Sequence, residues 1–218
     1  MHRPYVLVYV TETVDGRIAS RTGFSRLSCP YDLKRLHWFR AWCDAIIVGA
    51  GTVIKDDPLL TVRYVKGRNP VRVVVDGRLR IPLNARIITD KSAKTIIFTS
   101  KYADNEKISE LRDKGVEVYV VGETPKLSIR KVLELLYSIG IRRVLVEGGG
   151  ELLWSFFSEG VVDEVRVTIA PYIFGGRNAV SMVMGVGFKD TDEAFKLKLK
   201  EVSICKCGNE VHIVWVRA

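Results

Sequence analysis

The sequence predicts an α/β protein built on a mixed, mostly parallel sheet flanked by helices, with an antiparallel hairpin at its C-terminal end. Three observations predict it. Runs rich in Val and Ile alternate with helical patterns, and parallel neighbours need such crossover connections. Most runs are apolar at successive positions, as strands covered on both faces are. The last two runs are separated only by Cys205 to Asn209, where Gly208-Asn209 is turn chemistry.

Taken in order, residues 5–10 form the first apolar run, too short for a signal sequence or a membrane span. A helical pattern at 31–42 follows, with Leu33, Leu36 and Trp38 or Phe39 marking its packed side. Strands are expected at 45–48, 71–75 and 95–99, a helix at 105–114, a strand at 116–121 and a helix at 128–139. A strand at 143–146 leads through three glycines into a helix at 151–159, and a strand at 164–170 precedes the terminal pair at 197–204 and 210–216.

The 218 residues, 47% hydrophobic and 27% charged, suit one globular domain spanning 1–218 and exclude a disordered or repetitive chain. A formal charge of +9 points to an anionic partner. The densest basic stretch, Lys196 to Lys200, alternates with leucines and reads as the wet face of a strand, so nucleic acid is not expected. No run of about 18 apolar residues suggests a membrane span, and a cytoplasmic location with reduced thiols is the expectation. Cys29, Cys43, Cys205 and Cys207 lack paired C-x-x-C spacing, so no metal site is expected.

The strongest motif runs from Val144 to Trp154, where Glu147 ends a buried strand and Gly148, Gly149 and Gly150 open a helix. Glycines let a backbone approach a ligand, and free N–H groups at a helix start favour a pyrophosphate. Glu147 would point into the crevice at the strand's carboxyl end. A second glycine pair, Gly49-Ala50-Gly51-Thr52, also follows a strand but lacks the third glycine of the dinucleotide fingerprint. It continues through Asp56, Asp57, Pro58, Leu60, Thr61 and Arg63, packing hydroxyls, carboxylates and a cation into a dozen residues. Pro58 stops any short helix begun at Thr52. Asp15-Gly16 reads as a turn, Thr22 to Ser28 as a loop, and the strand ending at Pro171 carries Gly175 and Gly176. The dispersed His2, His37 and His212 suggest neither a triad nor a metal site.

These segments together resemble the reductases of riboflavin biosynthesis, both the stand-alone archaeal and fungal type and the C-terminal domain of the bacterial deaminase-reductase. The matching pieces, in family order, are Val14 to Ala19, Gly49 to Arg63, Arg72 to Gly77, Val146 to Gly150, Val162 to Val165, Ile169 to Pro171, and Phe174 to Gly176. The resemblance implies a dihydrofolate-reductase-like fold, a homodimer, and NADPH, in some members NADH, as reductant. The implied reaction converts the ribosyl group of 2,5-diamino-6-ribosylamino-4(3H)-pyrimidinone 5′-phosphate to ribityl. Carried over by motif, Thr52, Asp56, Gly77, Gly148, Gly149, Gly150, Glu151 and Leu152 would hold the dinucleotide, and Ser25, Arg40, Leu60, Arg63 and Glu147 would line the substrate side. Arg40 and Arg63 are the candidates for the 5′-phosphate; Glu147, Asp57 and bound water are equal candidates to handle a proton.

Position 77 departs from the family, being Gly where many relatives carry Ser. The zinc deaminase signature H-x-E with P-C-x-x-C is absent from this sequence, which favours the diamino form of the substrate. A pterin-like substrate and a non-catalytic nucleotide- or nucleic-acid-binding role are the competing readings.

Overall fold

The computed structural model describes residues 2–218. In chain order its elements are β1 (Tyr5–Thr13), β2 (Arg17–Ala19), α1 (Pro30–Trp42), β3 (Ala45–Gly49), α2 (Ala50–Asp56), β4 (Val71–Val75), α3 (Arg86–Thr89), β5 (Thr95–Ser100) and α4 (Asn105–Asp113). They continue with β6 (Glu117–Gly122), α5 (Ile129–Ser138), β7 (Arg143–Val146), α6 (Gly150–Ser158), β8 (Glu164–Ala170), β9 (Val180–Ser181), β10 (Leu197–Ile204) and β11 (Val211–Arg217). Nine of the strands form one sheet in the order β10-β11-β8-β1-β7-β3-β4-β5-β6. Only β11 runs against its neighbours, β8 and β10; the other pairings are parallel. The expected mixed sheet and terminal hairpin are thus present. The short α2 ends before Pro58, where a stop was expected, whereas α3 and the small β2–β9 sheet were not among the expected elements.

The central strands are covered on both faces, and that is why β1, β3, β4, β5 and β7 show no alternation of apolar and polar residues, whereas edge strand β10 is largely exposed. Along β1, Val6, Val8 and Val10 enter one apolar cluster and Leu7 and Tyr9 enter the other. Helices α5 and α6 cover the first face through Leu133, Leu136, Phe156 and Phe157. Residues of α1, α3 and α4 cover the second through Phe39, Ile87, Ile88, Ile108 and Leu111.

Helix α5 shows how the sequence specifies such an element. Ser128 caps it by accepting a hydrogen bond from the Lys131 N–H, and Ile129, Val132, Leu133 and Leu136 lie on one face at helical spacing. Burying each aliphatic side chain contributes about 1.5–3 kcal/mol. Truncating the fully buried Leu136 to Ala would cost about 2–5 kcal/mol.

Candidate active site

The carboxyl ends of β1, β3, β4 and β7 open onto a single cleft of about 990 Å³. Such ends are where open α/β sheets bind ligands, because each strand stops and a loop or helix start takes its place. One end of the cleft is built by the starts of α2 and α6; the other by α1 and the loops around Ser25 and Arg63.

At the first end, Gly49 caps α2 and Gly149 caps α6, neither with a side-chain hydrogen bond, and Gly49, Thr52, Gly149 and Leu152 line the wall. The first N–H groups of both helices therefore lack intrahelical partners and lie beside the cleft. Asp76 adds a buried carboxylate: Oδ2 accepts the Ile81 N–H at 2.9 Å, while Oδ1 has no hydrogen bond, its nearest cation being Arg80 at 3.6 Å. Free helix-start donors and a buried carboxylate oxygen with no hydrogen bond, along one wall, fit the pyrophosphate and hydroxyl groups of a dinucleotide. Partial burial raises the Asp56 carboxyl above its usual range, against the pull of Lys55.

The three consecutive glycines have three separate reasons. Gly148 has a φ of +100°, which an L side chain rarely adopts, and it sits behind the wall with its carbonyl accepting the Gly49 N–H at 3.3 Å. Gly149 faces the cleft, where an added Cβ would stand 3.6 Å from Thr52 Oγ1. At Gly150 a Cβ would meet Met184 Cγ at 2.6 Å and the Ser181 carbonyl at 2.9 Å, so this glycine admits the strap after β9. Gly148 shapes the turn, and it is Gly149 and Gly150 that line the cleft. Gly77 is required by packing too, since a Cβ there would lie 1.9 Å from the Pro125 carbonyl oxygen.

At the other end, α1 turns polar residues inward. Asp32, His37 and Arg40 are buried while Trp38 is 53% exposed, so Phe39 and not Trp38 marks the packed side. Arg40 grips Glu147 with two hydrogen bonds, Nε to Oε1 at 2.7 Å and Nη2 to Oε2 at 2.5 Å, and its Nη1 donates to the Thr61 carbonyl at 3.1 Å. Named above with Arg63 as a candidate for the 5′-phosphate, Arg40 has a buried guanidinium that is paired with Glu147.

Arg63 is different. Its Nη1 donates to Thr61 Oγ1 at 3.0 Å, it has no acidic partner within 4 Å among the described residues, and burial together with Arg40 lowers its pKa. The Arg63 N–H donates to His37 Nδ1 at 2.9 Å, which fixes the imidazole as the neutral tautomer with its proton on Nε2. Burial, Arg40 and Arg63 push the His37 pKa down to about 4, in keeping with that assignment. Leu60, 2% exposed, holds a φ of +53°, unusual for a branched side chain, and so turns the chain to deliver Thr61 and Arg63.

Ser25, Arg40, Leu60, Arg63, Glu147, Thr52, Asp56, Gly77, Gly149, Gly150, Glu151 and Leu152 all line this one cleft. Asp57 does not: its Oδ1 accepts the Arg86 N–H at 2.7 Å. The Gly175–Gly176 turn is also outside, tied to Asp15, whose carboxylate accepts Phe174 and Gly175 N–H groups and is held down to about 2 first by the Thr13 hydroxyl. Sequence reasoning missed His37, Arg26, Lys55, Tyr64, Arg80 and Lys126 in the lining. For His37 a signal existed, since 32, 37 and 40 fall on one side of a helix.

A mixed sheet with a deep cleft at its carboxyl ends, walled by two helix starts and a buried arginine-carboxylate pair, has the dihydrofolate-reductase-like architecture. The chain belongs to the RibD C-terminal domain family, whose pattern matches residues 4–213. It is 47% identical over 201 residues to the 2,5-diamino-6-ribosylamino-4(3H)-pyrimidinone 5′-phosphate reductase of Methanothermobacter thermautotrophicus, covering 91% of this chain and 92% of that one. A protein of the same name from Aquifex aeolicus is 40% identical over 205 residues, covering 92% and 91%. Among solved structures, RibD of Acinetobacter baumannii superposes with a TM-score of 0.84 at 27% identity. A deaminase/reductase from Thermotoga maritima gives 0.78 at 29%. The match covers 99% of this chain but only 58% and 57% of those two, so the chain spans little more than half their length.

Proposed function

We propose that this chain reduces the ribosyl group of 2,5-diamino-6-ribosylamino-4(3H)-pyrimidinone 5′-phosphate to the ribitylamino product, an oxidoreductase step of riboflavin synthesis. One observation carries the reading: a single cleft is lined by two uncapped helix starts, by an arginine with no acidic partner, Arg63, and by Glu147. The 47% relative bears the name of the diamino substrate, whereas the bifunctional Thermotoga maritima protein is named for the deaminated uracil compound. The diamino form is therefore preferred.

Thr52, Asp56, Gly77, Gly149, Gly150, Glu151 and Leu152 would hold the dinucleotide, with Gly148 setting the turn. When bound, the nicotinamide cofactor supplies the hydride. Arg80 and Lys126 beside Gly77 support NADPH over NADH, as cations near the far end of the dinucleotide favour an extra phosphate. Arg63, helped by Arg26, would meet the 5′-phosphate, a role for which an uncommitted guanidinium suits. Glu147, held as an acceptor by Arg40, would accept hydrogen bonds from substrate amino or hydroxyl groups; Ser25 and Leu60 complete that side. Arg40 thus acts as a positioning residue.

Among the described residues no helix is long and apolar enough to cross a membrane. A cytoplasmic homodimer, each chain working as one reductase unit over 1–218, completes the reading. Exposed Leu199, Val202 and Ile204 on edge strand β10 support pairing between copies. The test is calorimetric titration of NADPH, NADH and substrate into wild type and Glu147→Gln. Lost substrate binding with retained NADPH binding supports the assignment; unaltered substrate binding removes Glu147 from it.

A further inference from the structure

The four cysteines look unrelated in sequence, yet three of them meet in the fold. The β10–β11 turn brings Cys205 and Cys207 against Cys29, which caps the N-terminus of α1. One ligand atom from each of Cys29, Cys205, Cys207 and Glu210 lies within 4.8 Å of the other three. Cys29 and Cys205 sulfurs are 3.6 Å apart. Thiolates at about 2.3 Å from a tetrahedral zinc stand roughly 3.8 Å from one another, whereas disulfide sulfurs are about 2.05 Å apart.

Glu210 supplies an independent observation. It is 3% exposed, and its Oε1 accepts the Cys29 N–H at 2.7 Å, but its Oε2 is buried with no partner. Buried carboxylate oxygens are rarely left so. A second grouping, Asp32 with Glu210 and His212, shares this residue. Asp32, however, is taken by hydroxyls of Tyr9 at 2.5 Å, Thr168 at 2.7 Å and Thr11 at 2.8 Å. The sulfur side is the one available.

We propose that Cys29, Cys205, Cys207 and Glu210 form a structural zinc site that fastens the C-terminal hairpin to the start of α1. Three thiolates and one carboxylate select zinc over magnesium or calcium, and four protein ligands leave no open position for catalysis. Each thiol releases its proton to water as its sulfur binds. None of the three cysteines lines the cleft, but α1 carries His37 and Arg40. The metal therefore steadies the helix from which the substrate side is built.

The test uses the whole chain, purified under reducing conditions, incubated with zinc chloride and desalted. Mass spectrometry for metals should find about one zinc per chain. Because Cys207 is exposed, Cys207→Ser should fold normally yet bind zinc at least about 100-fold more weakly in competition with a chromophoric chelator. Cobalt in place of zinc should give thiolate-to-metal charge-transfer absorption and the intense visible bands of a four-coordinate ion. Zinc absent from wild type, equal affinity in Cys207→Ser, or a weak six-coordinate cobalt spectrum would each overturn the proposal. So would a Cys29–Cys205 disulfide found by peptide mass in protein kept under reducing conditions.

Discussion

Replacing Arg40 by Met tests the buried pair that lines the cleft. The side chains of Arg40 and Glu147 are 8% and 11% exposed, and the pair makes two hydrogen bonds. Removing the cation leaves a carboxylate with little water around it, a change that costs about 3–5 kcal/mol. With an unfolding entropy of about 2.1 cal/mol/K per residue over 218 residues, that is a loss of roughly 7–11 °C in Tm. Thermal melts of Arg40→Met against wild type should show that deficit. Arg40→Met with Glu147→Leu should recover part of the loss, because it buries no unpaired charge. A Tm unchanged in Arg40→Met, or no recovery in the double variant, would refute the reasoning.

Four other outcomes follow from the cleft. His37 has a folded pKa near 4, below its unfolded value of about 6.5, so its neutral form contributes stability that is complete above about pH 6.5 and lost as pH falls towards 4. In denaturant titrations, His37→Asn should flatten that acid limb, which amounts to at most about 3 kcal/mol. Arg63→Gln should raise KM for the phosphorylated substrate by about 10- to 150-fold, the loss of one charge-assisted contact, with NADPH affinity unchanged by calorimetry. Gly77→Ser, despite being the residue of many relatives, forces its Cβ against the Pro125 carbonyl and should lower stability by about 1–3 kcal/mol in urea unfolding. Gly150→Ala, which collides with Met184 and the Ser181 carbonyl, should weaken NADPH binding at the start of α6 in the same titration, whereas Gly51→Ala has open space around it and should not clash.

Strand positions were legible because both faces of the sheet are buried, and long apolar runs need no tertiary information to be seen. The short α3 and the two-residue β9 were not, since their stability comes from what they pack against and not from periodicity. Glycine spacing located the turns at 49–51 and 148–150, but it could not divide ligand approach from packing. Gly150 answers to Met184, and Gly148 to its own φ. Arg40 sits on a helix whose apolar pattern is weak, and its partner is 107 residues away, so nothing local distinguished a buried pair from a solvated cation. The same limit hid the cysteines: Cys29 and Cys205 are 176 residues apart, and ligand spacing along the chain is informative only when the ligands share a turn.

Hydride transfer to the sugar is the central claim, and deuterium transfer tests it most directly. NADPH carrying deuterium at the transferable C4 position is incubated with the chain and the diamino ribosylaminopyrimidine phosphate, and the product is examined by mass spectrometry and NMR. The account predicts one deuterium at C1′ of a ribitylamino product, formed in step with NADPH oxidation. No oxidation with this substrate, or oxidation supported only by the deaminated uracil compound or by dihydrofolate, would contradict it.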